Sequence, residues 1–260
     1  MEFFFNVRTP KPSAEEPPKT GLARLWKILR RDFWRFLAAG LLALAGALPF
    51  AVGVGLSIAA HDLRSAMLFG AVSGLIAGPE LCGMADTVLR SLRNEPNFWW
   101  DTYRWAWKRS VREALLPGAA GGLFFGAELF LLFHAETLAL GVGTQLTMLL
   151  GVLLVLGFFS YIWPQLALME LPFGTVLKNA ALLFLGQLPR SIAALAVQAA
   201  YWALMLVYLD TALPVLLVTN FWTPFLLTLF LVYPGIEKGF RIETRMDALR
   251  GEAVCAKDTV

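Results

Sequence analysis

FLAAGLLALAGALPFAVGVGLSIAA, from Phe36 to Ala60, contains no charged side chain. A helix that crosses a bilayer needs about 20 mostly apolar residues, because the hydrocarbon core is ~30 Å thick and each helical residue rises ~1.5 Å. This stretch meets that length, so it is expected to span. Working outward from it, five more runs follow. Residues 63–89 are apolar apart from Glu80 and Asp86, and 114–133 carry only Glu128. Residues 138–169 are long enough to tilt or to extend past the bilayer, while 191–209 and 211–233 are joined by a tight turn at Asp210. The chain is therefore expected to be an all-α polytopic membrane protein. Its membrane domain, 36–237, holds six transmembrane helices with spans at about 36–60, 63–89, 114–133, 138–169, 191–209 and 211–233, accompanied by amphipathic interfacial helices.

Composition points the same way. Of 260 residues, 58% are hydrophobic and only 16% charged, with a mean hydropathy of +0.63. Soluble proteins carry about 25% charged residues, and the shortfall excludes disordered regulators, secreted disulfide scaffolds and ordinary cytosolic enzymes. The net charge of +3 follows from topology rather than from nucleic-acid binding, which is not expected. With the N-terminus inside, every Lys and Arg except Arg64 falls on a cytoplasmic segment. Both termini are thus expected in the cytoplasm and the protein in the cell membrane.

The segment 1–20, with Pro10, Pro12, Pro17 and Pro18, is expected to be flexible, and Phe3 to Phe5 is too short to be the core of a secretory signal. Within 21–35 the apolar residues Leu22, Leu25, Trp26, Leu29 and Phe33 recur at helical spacing beside Arg24, Lys27, Arg30, Arg31 and Arg35. That pattern predicts an amphipathic helix lying in the plane of an anionic leaflet. Residues 238–260 form a cytoplasmic tail. Cys82 within a span and Cys255 in the tail are too far apart to pair, so no disulfide is expected.

A second amphipathic segment runs from Asn97 to Glu113. It packs Trp99, Trp100, Tyr103, Trp105 and Trp107 among Arg104, Lys108, Arg109 and Arg112. One side suits the headgroup level, where Trp and Tyr concentrate, and the other suits protein, making these nine residues a candidate partner-docking surface. Gly70, Gly74 and Gly78 in the second span and Gly118, Gly122 and Gly126 in the third are spaced by four. Such small-residue stripes let helix backbones approach closely, within one chain or between copies, so an oligomer stays open.

Ionisable groups at membrane depth are costly and therefore suggest function. Glu80, just after Pro79, falls near the midplane, with Gln198 and Asn220 at comparable depths; the three form a candidate polar site. Asp86 has Arg90 one turn on, the spacing of an ordinary helical ion pair. His61-Asp62 and His134 with Glu136 sit on external turns without fixed register, so no metal site is assigned. The chain contains no His-Glu-x-x-His helix, no phosphate-binding glycine loop and no nucleophile elbow. No catalytic residue, metal or cofactor is expected.

Spans two and three, joined through the aromatic-basic helix, and spans four and five, joined through 175–188, run in the same directions as a weak parallel repeat. In these segments the chain resembles the YesL-like family of small bacterial integral membrane proteins. The resemblance lies in Gly78-Pro79 and the residues through Met84, in Leu89-Arg90, and in the stretch from Trp99 to Leu115. It continues in Tyr161-Ile162-Trp163-Pro164 and Leu177-Lys178-Asn179-Ala180. Two positions depart from the family pattern: Glu80 where a small residue is usual and Ser110 where an amide is usual. The resemblance implies a six-helix membrane protein associated with carbohydrate uptake, with ABC importer membrane subunits as partners. It implies no site residues. The expected function is accordingly an accessory protein that binds another membrane complex, the alternative being a small-solute transporter or channel with its path at Glu80.

Overall fold

A computed structural model of the chain describes residues 21–95 and 98–242. The segment 1–20, Pro96, Asn97 and the tail from 243 onward, with Cys255, lie outside the described residues. The described chain is helical throughout: α1 (Gly21–Ala59), α2 (Leu63–Leu92), α3 (Trp99–Phe133), α4 (Val142–Leu168), α5 (Phe173–Gly186), α6 (Leu188–Val207), α7 (Leu209–Thr219) and α8 (Trp222–Phe240). Four of these, α1 to α4, are long and apolar enough to cross a membrane. A fifth crossing results if α5 and α6, bent by 99°, are one span. These apolar helices are those of a membrane protein.

Residues 21–35 do not form a helix of their own. They are the first turns of α1, because nothing between Leu22 and Phe36 interrupts a helix: no glycine or proline occurs there, and Leu, Ala, Arg and Lys dominate. At 39 residues, α1 is about 58 Å long, nearly twice the hydrocarbon core. Ile28, Asp32, Phe36, Ala39, Ala43 and Gly46 form one buried stripe along it. Its N-terminal turns pack on the C-terminal end of α2, where Arg24 Nη2 donates to Leu92 O at 2.7 Å and Arg31 Nη2 donates to Ser91 O at 2.9 Å. Carbonyls in a last helical turn lack i+4 partners and carry the negative end of the dipole, so guanidinium groups settle there. This contact holds the stretch against α2.

The same end of the bundle gathers further paired charge. Asp32, 1% exposed, accepts from Arg35 at 2.8 Å and from Arg31 and the Ser91 hydroxyl. Asp86 pairs with Arg90 at 2.7 Å, and Glu95 bridges Arg90 at 3.3 Å and Arg93 at 3.0 Å. At Arg93 burial works to lower the pKa, but the Glu95 carboxylate and more distant anionic partners outweigh it and hold the guanidinium above its ordinary range.

The aromatic-basic segment and the third expected span are also one helix, α3, which runs antiparallel to α2. Gly70, Gly74 and Gly78 lie against Gly118, Gly122 and Gly126, backbone to backbone. A Cβ added at Gly74 would collide with the carbonyl oxygen of Gly118, and one at Gly122 with that of Gly70. Only glycine permits this approach.

The last two expected spans depart from the hydropathy pattern. The fifth is α6, and its junction with α7 falls at Tyr208 rather than Asp210. The sixth is broken between α7 and α8, so among the described residues the helices long and apolar enough to cross number four, or five with the bent pair. At the break Asn220 leaves helical space (φ 19°, ψ −142°), and its Oδ1 accepts the Trp222 N–H at 3.2 Å. Pro224 then sits in the first turn of α8, where a missing N–H breaks no intrahelical bond. A side-chain cap followed by an early proline outweighs the continuous hydrophobicity. The two halves of the expected repeat also differ in form, since α3 is continuous whereas α5 and α6 break at Gln187.

Candidate functional site

Glu80 stands on α2 and faces both α1 and α3. Its Oε1 accepts the indole N–H of Trp107 at 3.0 Å, and its Oε2 accepts the Tyr103 hydroxyl. Its methylenes lie against Gly46 of α1, where an added Cβ would come within 3.0 Å of Glu80 Cγ. Tyr103 and Trp107, four residues apart, share one face of α3 and so reach the same carboxylate. Both oxygens of a half-buried carboxylate are thereby satisfied. This geometry makes Glu80 a clamp between α2 and α3.

Gln198 and Asn220 do not join Glu80. Gln198 Nε2 donates to Ser160 Oγ of α4 at 2.8 Å. Asn220, fully buried, caps α8 with its carbonyl and donates Nδ2 to Leu217 O at 3.2 Å. It lies beside Gly40 of α1, whereas Glu80 lies beside Gly46; six residues separate those contacts, about 9 Å along the helix. The single polar site expected from these three residues is thus corrected to three separate settings. Asn220 is committed to the cap, and Glu80 to the donors of α3.

The first turns of α3 likewise divide the expected docking surface. Tyr103 is buried and Trp99 and Trp107 are half-buried. Arg109 donates to Ala167 O of α4, and its guanidinium lies 4.3 Å from the Trp105 ring centroid. These residues face the protein or lean on it. Outward stand Trp100, 53% exposed, and Trp105, 43% exposed, with Arg104, Lys108 and Arg112 also exposed. Trp100, Arg104, Lys108 and Arg112 are spaced by four and form one ridge.

Between α1, α2, α3, α4, α6 and α8 lies a cavity of about 640 Å³. Phe50, Phe125, Leu153, Leu156, Trp202 and Phe225 are among its walls. Its few polar side chains are Ser73, Glu128, Ser160, Gln198 and Thr228; Glu80 and Asn220 lie outside the lining. Ser73 Oγ, Glu128 Oε2 and Thr228 Oγ1 are buried without a hydrogen-bond partner.

At the opposite end from the basic cluster, His61 and His134 meet, with His134 Nε2 2.8 Å from His61 Nδ1. His134 Nδ1 faces the Phe130 carbonyl at 2.9 Å, so that nitrogen carries a proton and donates to the carbonyl. Among the described residues, no group of three or more His, Cys, Asp and Glu is arranged to hold a metal. Comparison of the chain with protein-family models, curated proteins and solved structures gave no match.

Proposed function

We propose that the protein is an integral membrane accessory protein that binds another membrane complex through the outward ridge of α3. Solute uptake is its setting, and by the YesL-like resemblance the solute is a carbohydrate and the partner the membrane subunits of an ABC importer. One observation carries this reading: Trp100, Arg104, Lys108 and Arg112 form a ridge that the protein's own fold leaves exposed. Trp and Arg are the residues most often found at interface hot spots. The inward face of the same turns is fixed by Tyr103 and Trp107 on Glu80, so the ridge is presented by an anchored helix. In this reading the chain crosses the cell membrane six times, with α7 and α8 together forming the last crossing. Both termini are cytoplasmic, which puts every Lys and Arg except Arg64 on the cytoplasmic side. The hydrogen bonds that occupy both Glu80 oxygens weigh against a solute path at that residue.

The test is capture of tagged protein from its native membranes in mild detergent, with mass spectrometry of what accompanies it. Wild-type protein is expected to recover ABC permease subunits in near-equal amounts. The double variant Trp100→Ala/Trp105→Ala, which leaves Trp107 on Glu80, is expected to lose them. Undiminished recovery by that variant would refute the ridge as the docking surface, and wild-type protein free of permease subunits would refute the accessory role.

A further inference from the structure

We propose that His61 and His134 form a binding site for one divalent transition-metal ion of the zinc and copper type, held by imidazole nitrogens with water completing its shell. They are the chain's only two histidines, 73 residues apart in sequence, and the fold sets His134 Nε2 2.8 Å from His61 Nδ1. Two imidazoles bound to one ion at ~2.0–2.1 Å place their nitrogens about 3 Å apart. The rings therefore have to yield by only a few tenths of an ångström to admit one. Their centroids lie 4.6 Å apart with the planes inclined at 68°. Rings meeting end to end across the same gap would stand farther apart, so these nitrogens meet at an angle, which suits a straight N–H···N bond poorly.

His134 has the form of a prepared ligand. It is 7% exposed, stacks on Phe130 with 4.3 Å between centroids, and donates its Nδ1 proton to the Phe130 carbonyl. A metal-ligating histidine ordinarily donates its second N–H in this way, which fixes the ring and leaves the other nitrogen as the ligand. His61 supplies the outer half. It stands exposed on the turn between α1 and α2 in the left-handed region (φ 55°), where glycine would sit without strain. On binding, a proton held by His61 Nδ1 passes to the other nitrogen of that exposed ring, and both lone pairs then face the ion.

The ligand set fixes the class of ion. Among the described residues no carboxylate completes a set of three with the pair, and Asp62 Oδ1 accepts the Arg64 N–H at 3.0 Å as the cap of α2. Calcium and magnesium take oxygen ligands, whereas imidazole suits zinc, nickel and copper, with copper(II) bound tightest. The ion would tie the α1–α2 turn to the C-terminal end of α3, at the end of the bundle opposite the basic cluster. The site shares no residue with the α3 ridge and does not depend on its role.

The experiment titrates full-length protein in phosphatidylcholine nanodiscs, purified on a tag free of histidine, with Cu²⁺, Zn²⁺ and Ca²⁺. Wild-type protein is expected to bind one Cu²⁺ per chain, competed by Zn²⁺ and not by Ca²⁺, with pulsed EPR showing coupling to two imidazoles. His61→Gly suits the left-handed backbone and so removes one ligand while keeping the fold. It is expected to weaken binding at least about ten-fold and to leave one coupled imidazole; His134→Gln should do the same. No uptake of Cu²⁺ by the wild type, a spectrum with fewer than two imidazoles, or undiminished binding by His61→Gly would overturn the site. Competition by Ca²⁺ equal to that by Zn²⁺ would overturn the ligand set.

Discussion

Removing the Glu80 carboxylate should loosen α2 from α3 by an amount the geometry bounds. Glu80→Ala takes away the acceptor of both Tyr103 and Trp107. A hydrogen bond to a charged group contributes about 1.5–3 kcal/mol in soluble proteins. Interhelical bonds in membranes average only ~0.6 kcal/mol and reach ~1.7, since the unfolded chain within the bilayer also finds partners. Two bonds at the membrane values give about 1–3 kcal/mol for Glu80→Ala. Glu80→Gln is gentler, because its carbonyl still accepts from Trp107 and its amide can donate to the Tyr103 oxygen; its expected loss is under about 1 kcal/mol. Reversible denaturation in mixed micelles measures both variants. A double-mutant cycle of Glu80→Ala with Tyr103→Phe should return a coupling of about 0.6–1.7 kcal/mol. Zero coupling, or equal destabilisation by the alanine and glutamine variants, would refute the clamp. Solute flux abolished by Glu80→Gln at unchanged stability would place the glutamate in a transport path instead.

The other predictions use the same denaturation assay. Gly74→Ala and Gly118→Ala each drive a methyl into the facing backbone and should destabilise by about 1–3 kcal/mol; Gly55→Ala, whose added Cβ meets only open space, should be neutral or slightly stabilising. If all three behave alike, the close approach of α2 and α3 is refuted. Asp86→Asn strips one of two carboxylate partners from Arg90, 2% exposed, and should cost less than the ~3–5 kcal/mol of a buried charge left wholly unpaired, because Glu95 still bridges it. Replacing the pair together, Asp86→Leu/Arg90→Met, should cost less than the single change, and the reverse order would show that the pair stabilises beyond its own desolvation.

The long apolar helices were legible because a charge-free run of this length has few other uses. Where those helices begin was not. Hydropathy marks the edge of the hydrocarbon core, and helix propensity has no reason to stop there. Phe36 and Ala114 are therefore boundaries of apolarity inside α1 and α3, not ends of elements. The break at Asn220 was written in the sequence as a capping residue ahead of Pro224, but the surrounding hydrophobic run concealed it. For the aromatic-basic segment the spacing of Tyr103 and Trp107 was visible. With aromatics nearly all round the helix, periodicity could not say which face turns toward Glu80. The free hydroxyls of Ser73 and Thr228 leave no trace in the sequence at all, because any Ser or Thr in a helix can bond its own preceding turn.

The bundle divides into a tight half and an open half, and that division constrains how the ridge and the cavity can influence one another. Along α2 and α3 the contact is backbone on backbone through the glycine stripes, closed by the Glu80 clamp. Gly74, Gly78, Gly118 and Gly122 also border the cavity, so one seam serves both features. Sliding α3 along α2 would drive facing carbonyls into one another and break the bonds to Glu80, so anything entering the cavity gains little by moving that seam. The opposite walls, α6 and α8, adjoin the bend at Gln187 and the break at Asn220. A ligand shifts a conformation only by what it binds differently in the two states. In this bundle that difference can arise at α6 and α8, while the α3 ridge keeps its place whether the cavity is occupied or not.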